Sequence, residues 1–328
     1  MNVLVNLADG FFDSPALASC WDELNSFAQV RRCACDELSE LEPHLSGTDA
    51  ILLWSWPRLT AQVLEAYPGL KMFAHIDLHQ DMARLLFEHG REISIGRRGF
   101  SPAVAEMALG LMLSCLRKTP WHHEKMWRAE ESWVQRYPEE IDPHERQLAG
   151  RRVGIVGFGG VGRRLGELLA PFNCELAIHD PLLPAEVGTV KNMELRELLS
   201  RSEVLVLCAS ANASSKALLG REEIALLAPH SVLINVARAA LVDTPALIER
   251  LERKDLVAAL DVFDREPLEA DSPLRSLPHV LLTPHRAGGI VESNRRILDA
   301  LIGDLRAWKE GRPRAHALLP AMIASLDA

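Results

Sequence analysis

Three charged residues stand where short apolar runs give way to loops, and their types are those of carbonyl chemistry. Arg238 follows the run Val232–Ala237, and Glu266 follows Asp261-Val262-Phe263 and precedes Pro267. His285 follows Leu281-Leu282-Thr283-Pro284 and precedes the pair Gly288-Gly289. A guanidinium binds and polarises an α-keto acid. An imidazolium gives its proton to the carbonyl oxygen while hydride arrives at the carbon, and a carboxylate beside it fixes the tautomer and supports the charge. Taken singly, each residue is more often a surface or capping group. Together at strand ends they read as a catalytic set.

A hydride donor has its own signature in the stretch Arg152 to Asp180, RVGIVGFGGVGRRLGELLAPFNCELAIHD. An apolar strand breaks at Gly157, a helical pattern carries Leu165, Leu168 and Leu169 on one face, and a second apolar run ends in an acid. Gly157 permits a tight strand-to-helix turn. Gly159 leaves a bare backbone for a pyrophosphate, and Gly162 lets the helix pack close on its strand. Free N–H groups at the helix start face the phosphates. Asp180 is spaced to accept hydrogen bonds from an adenine-ribose diol, and it would meet a 2′-phosphate as a like charge. With Pro181-Leu182-Leu183 after it and no Arg, the pattern predicts NAD rather than NADP, by about 1–3 kcal/mol.

The elements that must position these residues alternate in type. Strands are expected at Val3–Asn6, Ile51–Trp54, Met72–Ile76 and Glu92–Ile95, with helices at Ala61–Ala66 and Gln80–His89. Ser101 caps and Pro102 opens a long apolar helix. Its most apolar part, Ala103 to Leu116, is too short for a bilayer. A polar stretch at about 121–147, rich in Trp, His and Glu, reads as an arm that packs on another subunit. The other reading is a helix pair covering its own domain. Further strands are expected at Val153–Val156, Glu175–His179, Val204–Cys208, Val232–Val236, Ala258–Val262 and Val280–Thr283. This is an α/β chain with a Rossmann-type doubly wound parallel sheet and a smaller flavodoxin-like α/β substrate domain. The last helix, about Val291 to Lys309, runs back to the first domain. Residues 1–100 with 290–328 then form a discontinuous substrate domain, and 101–289 the nucleotide domain. Closure over a cleft is expected to hinge near Gly96–Gly99 and Gly288-Gly289.

Composition narrows the setting. With 328 residues, 48% hydrophobic and 25% charged, the balance is that of a globular protein of two domains. A net charge of −9 with no basic block argues against nucleic acid or an anionic membrane as partner. The start lacks a signal-peptide pattern. The 6 cysteines form no C-x-x-C pair and several sit within apolar runs, as in a reducing cytosol, so a cytoplasmic location is expected. His122-His123 has no partner at metal spacing, and no metal site is expected.

Four segments, LAGRRVGIVGFGGVGRRL, SVLINVARAALVDTPAL, VAALDVFDREPL and HVLLTPHRAGG, resemble the NAD-binding domain of the D-isomer-specific 2-hydroxyacid dehydrogenases, the family of phosphoglycerate, glyoxylate and hydroxypyruvate enzymes. The resemblance covers residues 148–289 and is weak over the first hundred. It implies that Arg238, Glu266 and His285 are catalytic and that the substrate is a small 2-keto or 2-hydroxy acid; the arm at about 121–147 makes a homodimer the expected assembly. It also implies cofactor contacts at Gly160 and Val161 by the pyrophosphate and at Asp180 by the ribose. Val236, Asp261 and Val104 then lie near the nicotinamide, with Cys208, His285 and Gly288 completing the set.

Departures from the family concentrate on the substrate side. The glycine-rich loop that holds the substrate carboxylate reads HIDLHQDM, with Asp77, Leu78 and His79 on its positions. The strand end before it reads Trp54-Ser55-Trp56, whose two rings are expected on one face of a strand, either as a packed core face or as the wall of a substrate pocket. His75, His79, Arg97 and Arg98 are candidates to restore positive charge. Cys208-Ala209-Ser210 stands at the usual His-x-Pro, and Ala239 at a frequent glycine. Two other readings follow. One is an NAD(H)-sensing dimeric module of corepressor type, and the other a dehydrogenase for an atypical oxyanion such as a phosphonate.

Overall fold

The computed structural model describes residues 1–131 and 141–327. The chain folds as two compact units, Met1–Phe100 with Gly289–Ala328, and Ser101–Gly288.

The first unit is built on strands β1 (Asn2–Asn6), β2 (Gln29–Cys33), β3 (Ala50–Leu53), β4 (Met72–His75) and β5 (Glu92–Ile95), in the spatial order β2-β1-β3-β4-β5. All pairings in this sheet are parallel. Successive side chains alternate between its faces. Thus Val3 and Val5 join a core with Leu24 of the helix Ala18–Phe27 and with Ile297, Leu301 and Leu305 of the helix Val291–Lys309. Leu4 points the other way, into a core with Ile51, Phe73 and Leu86. The last helix therefore belongs to this unit. Its Asp304, 2% exposed, accepts from the Ser94 hydroxyl and from the backbone N–H groups of Ala315 and His316 at 2.5, 2.9 and 3.0 Å, fastening the tail that follows. Gly96 and Gly99, read from sequence as hinge positions, have a packing reason of their own. A Cβ at Gly96 would come within 2.6 Å of Ile297 Cγ2, and one at Gly99 within 2.5 Å of Ile297 Cγ1.

The second unit carries an eight-stranded sheet in the order β13-β12-β11-β10-β6-β7-β9-β8. Its strands are β6 (Arg152–Val156), β7 (Glu175–His179), β8 (Glu186–Val187), β9 (Val190–Asn192), β10 (Val204–Leu207), β11 (Ser231–Asn235), β12 (Leu256–Leu260) and β13 (Val280–Leu282). The progression reverses between β6 and β10, the crevice that doubly wound sheets use for ligands. β8 and β9 form an antiparallel hairpin that the sequence reading missed. The helix Ser101–Leu116 packs on the helix Gly160–Leu169 and on β11 and β12, which is why it is apolar nearly all round. The helical stretch Arg97–Leu116 reaches 20 residues, enough by length and composition to cross a bilayer, which corrects the shorter extent expected. Of the arm expected at about 121–147, residues 132–140 lie outside the described residues. The described part includes the helix Thr119–Arg128, which buries none of its residues.

Candidate active site

Of the predicted set, Arg238 and His285 are each held by a polar side chain at the end of a strand. β11 ends in Asn235, 2% exposed. Its carboxamide oxygen accepts the Ala237 N–H at 3.1 Å, and its nitrogen donates to the Arg238 carbonyl at 3.1 Å. That closes a turn and launches Arg238, whose Nη1 donates to the Ala237 carbonyl at 2.9 Å. Asp261, fully buried just beyond β12, does the same for the histidine. It accepts from the Thr283 hydroxyl at 2.5 Å and from the N–H groups of Arg286 and Ala287 at 2.9 and 2.8 Å. The His285 N–H in turn donates to the Asp261 carbonyl at 2.8 Å. These bonds hold His285 at φ +50°, a left-handed conformation that a side-chain-bearing residue keeps only when its surroundings impose it.

His285 Nδ1 lies 2.6 Å from Glu266 Oε2, and Glu266 Oε1 accepts the Phe263 N–H at 3.0 Å. Burial raises the Glu266 carboxyl, but the bonds from His285 and Phe263 and the charges of His285 and Arg238 outweigh it. The carboxyl ends below its ordinary value. An ionised Glu266 makes Nδ1 the donor and leaves Nε2 for a ligand. The two side chains are 48% and 37% exposed, within reach of a small molecule. A cavity of about 400 Å³ beside them is lined by Phe263, Glu266, Pro267, Leu282, Thr283 and His285, among others.

The glycines divide their work as their spacing predicts. Gly157 has φ +86°, and a Cβ there would stand 2.5 Å from Ala209 Cα. At Gly162 it would stand 2.3 Å from the Gly157 carbonyl oxygen. At Gly159 it would meet nothing within 4 Å, so that glycine leaves open space in front of the helix Gly160–Leu169. The helix start has no side-chain cap, so its first N–H groups remain for an anion. Asp180 Oδ2 accepts the Phe158 N–H at 2.9 Å and Oδ1 the Leu182 N–H at 3.0 Å. Each oxygen keeps a lone pair for a diol hydroxyl. The cradle therefore fits a dinucleotide.

Of the other residues expected at the cofactor, Val161 and Gly288 are partly exposed and Gly160 exposed, while Val104 and Val236 are buried. Burial pushes the Cys208 thiol up to about 12, so it stays protonated. Asp261, expected at the nicotinamide, has its carboxylate engaged in holding the His285 turn.

On the first unit the substrate-side expectations need correction. β3 stops at Leu53, so Trp54-Ser55-Trp56 lies in the loop and not on a strand face. The two rings still meet, with centroids 5.5 Å apart. His75, a candidate positive charge, is 2% exposed, and burial pushes it down to about 4. It is neutral. Arg97 lies 3.9 Å from Asp77 and 3.8 Å from Asp327, so its charge is shared with two carboxylates. Leu78 turns its side chain into the core, which leaves only its backbone for a ligand. His79 precedes the helix Gln80–Glu88 as its N-cap residue, and Arg98 is exposed.

Sequence reasoning missed the positioning residues. Asn235 was signalled by a polar residue ending an apolar strand. Asn192, which takes the Asp180 N–H at 3.0 Å and donates to the Asp180 carbonyl at 2.9 Å, had no local signal. Among the described residues no group of three or more His, Cys, Asp or Glu is arranged to hold a metal.

Residues 109–287 match the family model described as D-isomer specific 2-hydroxyacid dehydrogenase, NAD binding domain. The chain is 30% identical over 263 residues to a D-3-phosphoglycerate dehydrogenase of Methanocaldococcus jannaschii, a match covering 78% of this chain and 49% of that protein. This chain thus spans about half the length of that relative. It is 29% identical over 267 residues to a hydroxypyruvate reductase of Thermotoga maritima, covering 80% and 84%. The solved TT0316 protein from Thermus thermophilus superposes with TM-score 0.78 at 26% identity, over 97% of this chain and 100% of that one.

Proposed function

The chain belongs to the D-isomer specific 2-hydroxyacid dehydrogenase family, and from that premise we propose that it is an NAD(H)-dependent oxidoreductase interconverting a 2-keto acid and a D-2-hydroxy acid. The observation that carries the reading is the 2.6 Å pair of His285 Nδ1 and Glu266 Oε2 at a strand end of the nucleotide domain. The bound nicotinamide supplies or accepts the hydride. Arg238 binds the substrate carboxylate and draws electron density from the carbonyl. His285, protonated on both nitrogens, delivers the Nε2 proton to the carbonyl oxygen during reduction and takes it back during oxidation. Glu266 remains anionic and holds the ring in place.

Residues Gly157, Gly159 and Gly162 with the helix start would hold the pyrophosphate, and Asp180 the adenine ribose. The carboxylate supports NAD over NADP, because a 2′-phosphate would bring a second negative charge to it. A homodimer is part of the proposal. It is supported by the helix Thr119–Arg128, which leaves Trp127 83% and Met126 55% exposed.

The test is a panel of 2-keto acids assayed for NADH and NADPH oxidation. The expected result is turnover with NADH, weaker use of NADPH, and a loss of about 10²–10⁴-fold in kcat for His285→Ala. Unchanged turnover in that variant would refute the role of His285. Cofactor binding without turnover of any keto acid would favour a sensing module, and turnover confined to a phosphonate or similar acid would favour the atypical oxyanion.

A further inference from the structure

His285 hangs from the weakest strand of its sheet. β13 has three residues, lies at the sheet edge and pairs only with β12, Ala258 to Val280, Ala259 to Leu281 and Leu260 to Leu282. None of its three residues is fully buried. A strand this short, with one neighbour and little apolar surface to bury, fixes the loop beyond it poorly. The histidine nevertheless keeps φ +50° and its 2.6 Å pair with Glu266. A restraint from outside the strand must impose both.

Thr283 supplies that restraint. Its N–H continues the ladder to the Leu260 carbonyl at 3.0 Å, and its hydroxyl crosses to Asp261 Oδ1 at 2.5 Å. The buried Asp261 carboxylate meets two further donors, the Arg286 N–H on Oδ1 and the Ala287 N–H on Oδ2. One donor precedes His285 and two follow it, so the carboxylate clasps the turn from both sides. Of the three, only the hydroxyl belongs to a side chain, and only it can be removed without touching the backbone. A buried carboxylate stripped of a donor is costly to leave unsatisfied, so it turns toward the donors that remain. The turn can then relax toward negative φ and carry Nδ1 off Glu266. Glu266 would not follow, because its Oε1 is anchored separately on the Phe263 N–H at 3.0 Å.

We propose that Thr283 is a positioning residue for the proton transfer: through Asp261 it holds His285 in the left-handed conformation that keeps Nδ1 on Glu266. The inference rests on the oxidoreductase reading above. Thr283 also lines the cavity beside the pair, but its hydroxyl is committed to Asp261.

The experiment compares the full chain with Thr283→Val, which keeps the shape and loses the hydroxyl, and Thr283→Ser, which keeps the hydroxyl. The first readout needs neither cofactor nor substrate. Nitrogen NMR of isotope-labelled histidine, with the His285 ring assigned through His285→Ala, should show a hydrogen-bonded Nδ1 in the wild type and in Thr283→Ser. In Thr283→Val that signature should give way to the one seen in Glu266→Ala. The second readout is turnover of the best keto acid with NADH. Thr283→Val should lose about 10- to 100-fold in kcat, the range a displaced catalytic group costs, while KM for NADH stays within about twofold. Thr283→Ser should keep most of the rate. An unchanged His285 ring and kcat in Thr283→Val would overturn the proposal, and so would equal losses in the Val and Ser variants. A rise in substrate KM alone would overturn it by placing the hydroxyl on the substrate. No turnover in the wild type would overturn the oxidoreductase reading, and the ring spectra would still decide whether Thr283 positions His285.

Discussion

At the scale of the residue, His75 shows how a side-chain type can mislead. Its place at the end of β4 suggests a cation for an anionic substrate, yet full enclosure by apolar neighbours pushes it down to about 4 from an ordinary 6.5. The consequence is a stability that depends on pH. A folded-state value below the unfolded one means that the unfolded chain binds the extra proton between pH 6.5 and 4. Stability therefore falls as pH drops through that window, and the loss levels off below it. The difference of about 2.5 units sets the cost at roughly 2–3 kcal/mol by pH 4.5. Urea unfolding of the wild type and of His75→Asn, at pH 7.5 and pH 4.5, measures it. The variant should lose less stability on acidification by about that amount. Parallel losses in both proteins would place the acid sensitivity elsewhere.

At the scale of the element, the sheet and the last helix constrain each other through glycines. Gly96 directly follows β5, and a Cβ there would meet the side chains of Ile297 at 2.6 Å and Leu301 at 3.2 Å. Both belong to the helix Val291–Lys309, and both are fully buried. Gly96→Ala is expected to destabilise by about 1–3 kcal/mol through overpacking. Ile297→Ala alone is expected to cost about 2–5 kcal/mol. Together they should cost clearly less than their sum, because the new methyl occupies part of the space the isoleucine vacates. Additive losses in chemical denaturation would show that the two residues do not share that space. Packing of this kind is invisible in the sequence, where Gly96 and Gly99 read as hinge positions. The central strands were legible because burial on both faces makes them continuous apolar runs, as in VLVL at β10 and SVLIN at β11. β2, QVRRC, was not, since it is an edge strand with no buried residue. The two-residue β8 has too few positions for any period. Arg238, Glu266 and His285 stood out as candidates by type and by their place after apolar runs. The residues that aim them act across space, as Asp261 does on Thr283, and no local spacing records that.

At the scale of the whole molecule, the two units are built on separate cores. The glycine cradle, Asp180 and the His285–Glu266 pair all lie within Ser101–Gly288. A ligand stabilises the state it binds by RT ln(1 + [L]/Kd), about 2.7 kcal/mol at one hundred times Kd, and sub-global openings feel only what they break. NADH alone should therefore slow amide exchange most strongly from β6 through the helix Gly160–Leu169 to Asp180. The Phe158 and Leu182 N–H groups, bonded to the Asp180 carboxylate, should be among the most protected. Amides of β1, β3 and β4 open by breaking a different core and should change less. Hydrogen exchange read by mass spectrometry on peptides from both units, with and without saturating NADH, decides the matter. Protection spread evenly over both units, or missing between Gly157 and Asp180, would remove the cradle as the place where the cofactor's binding energy enters the fold.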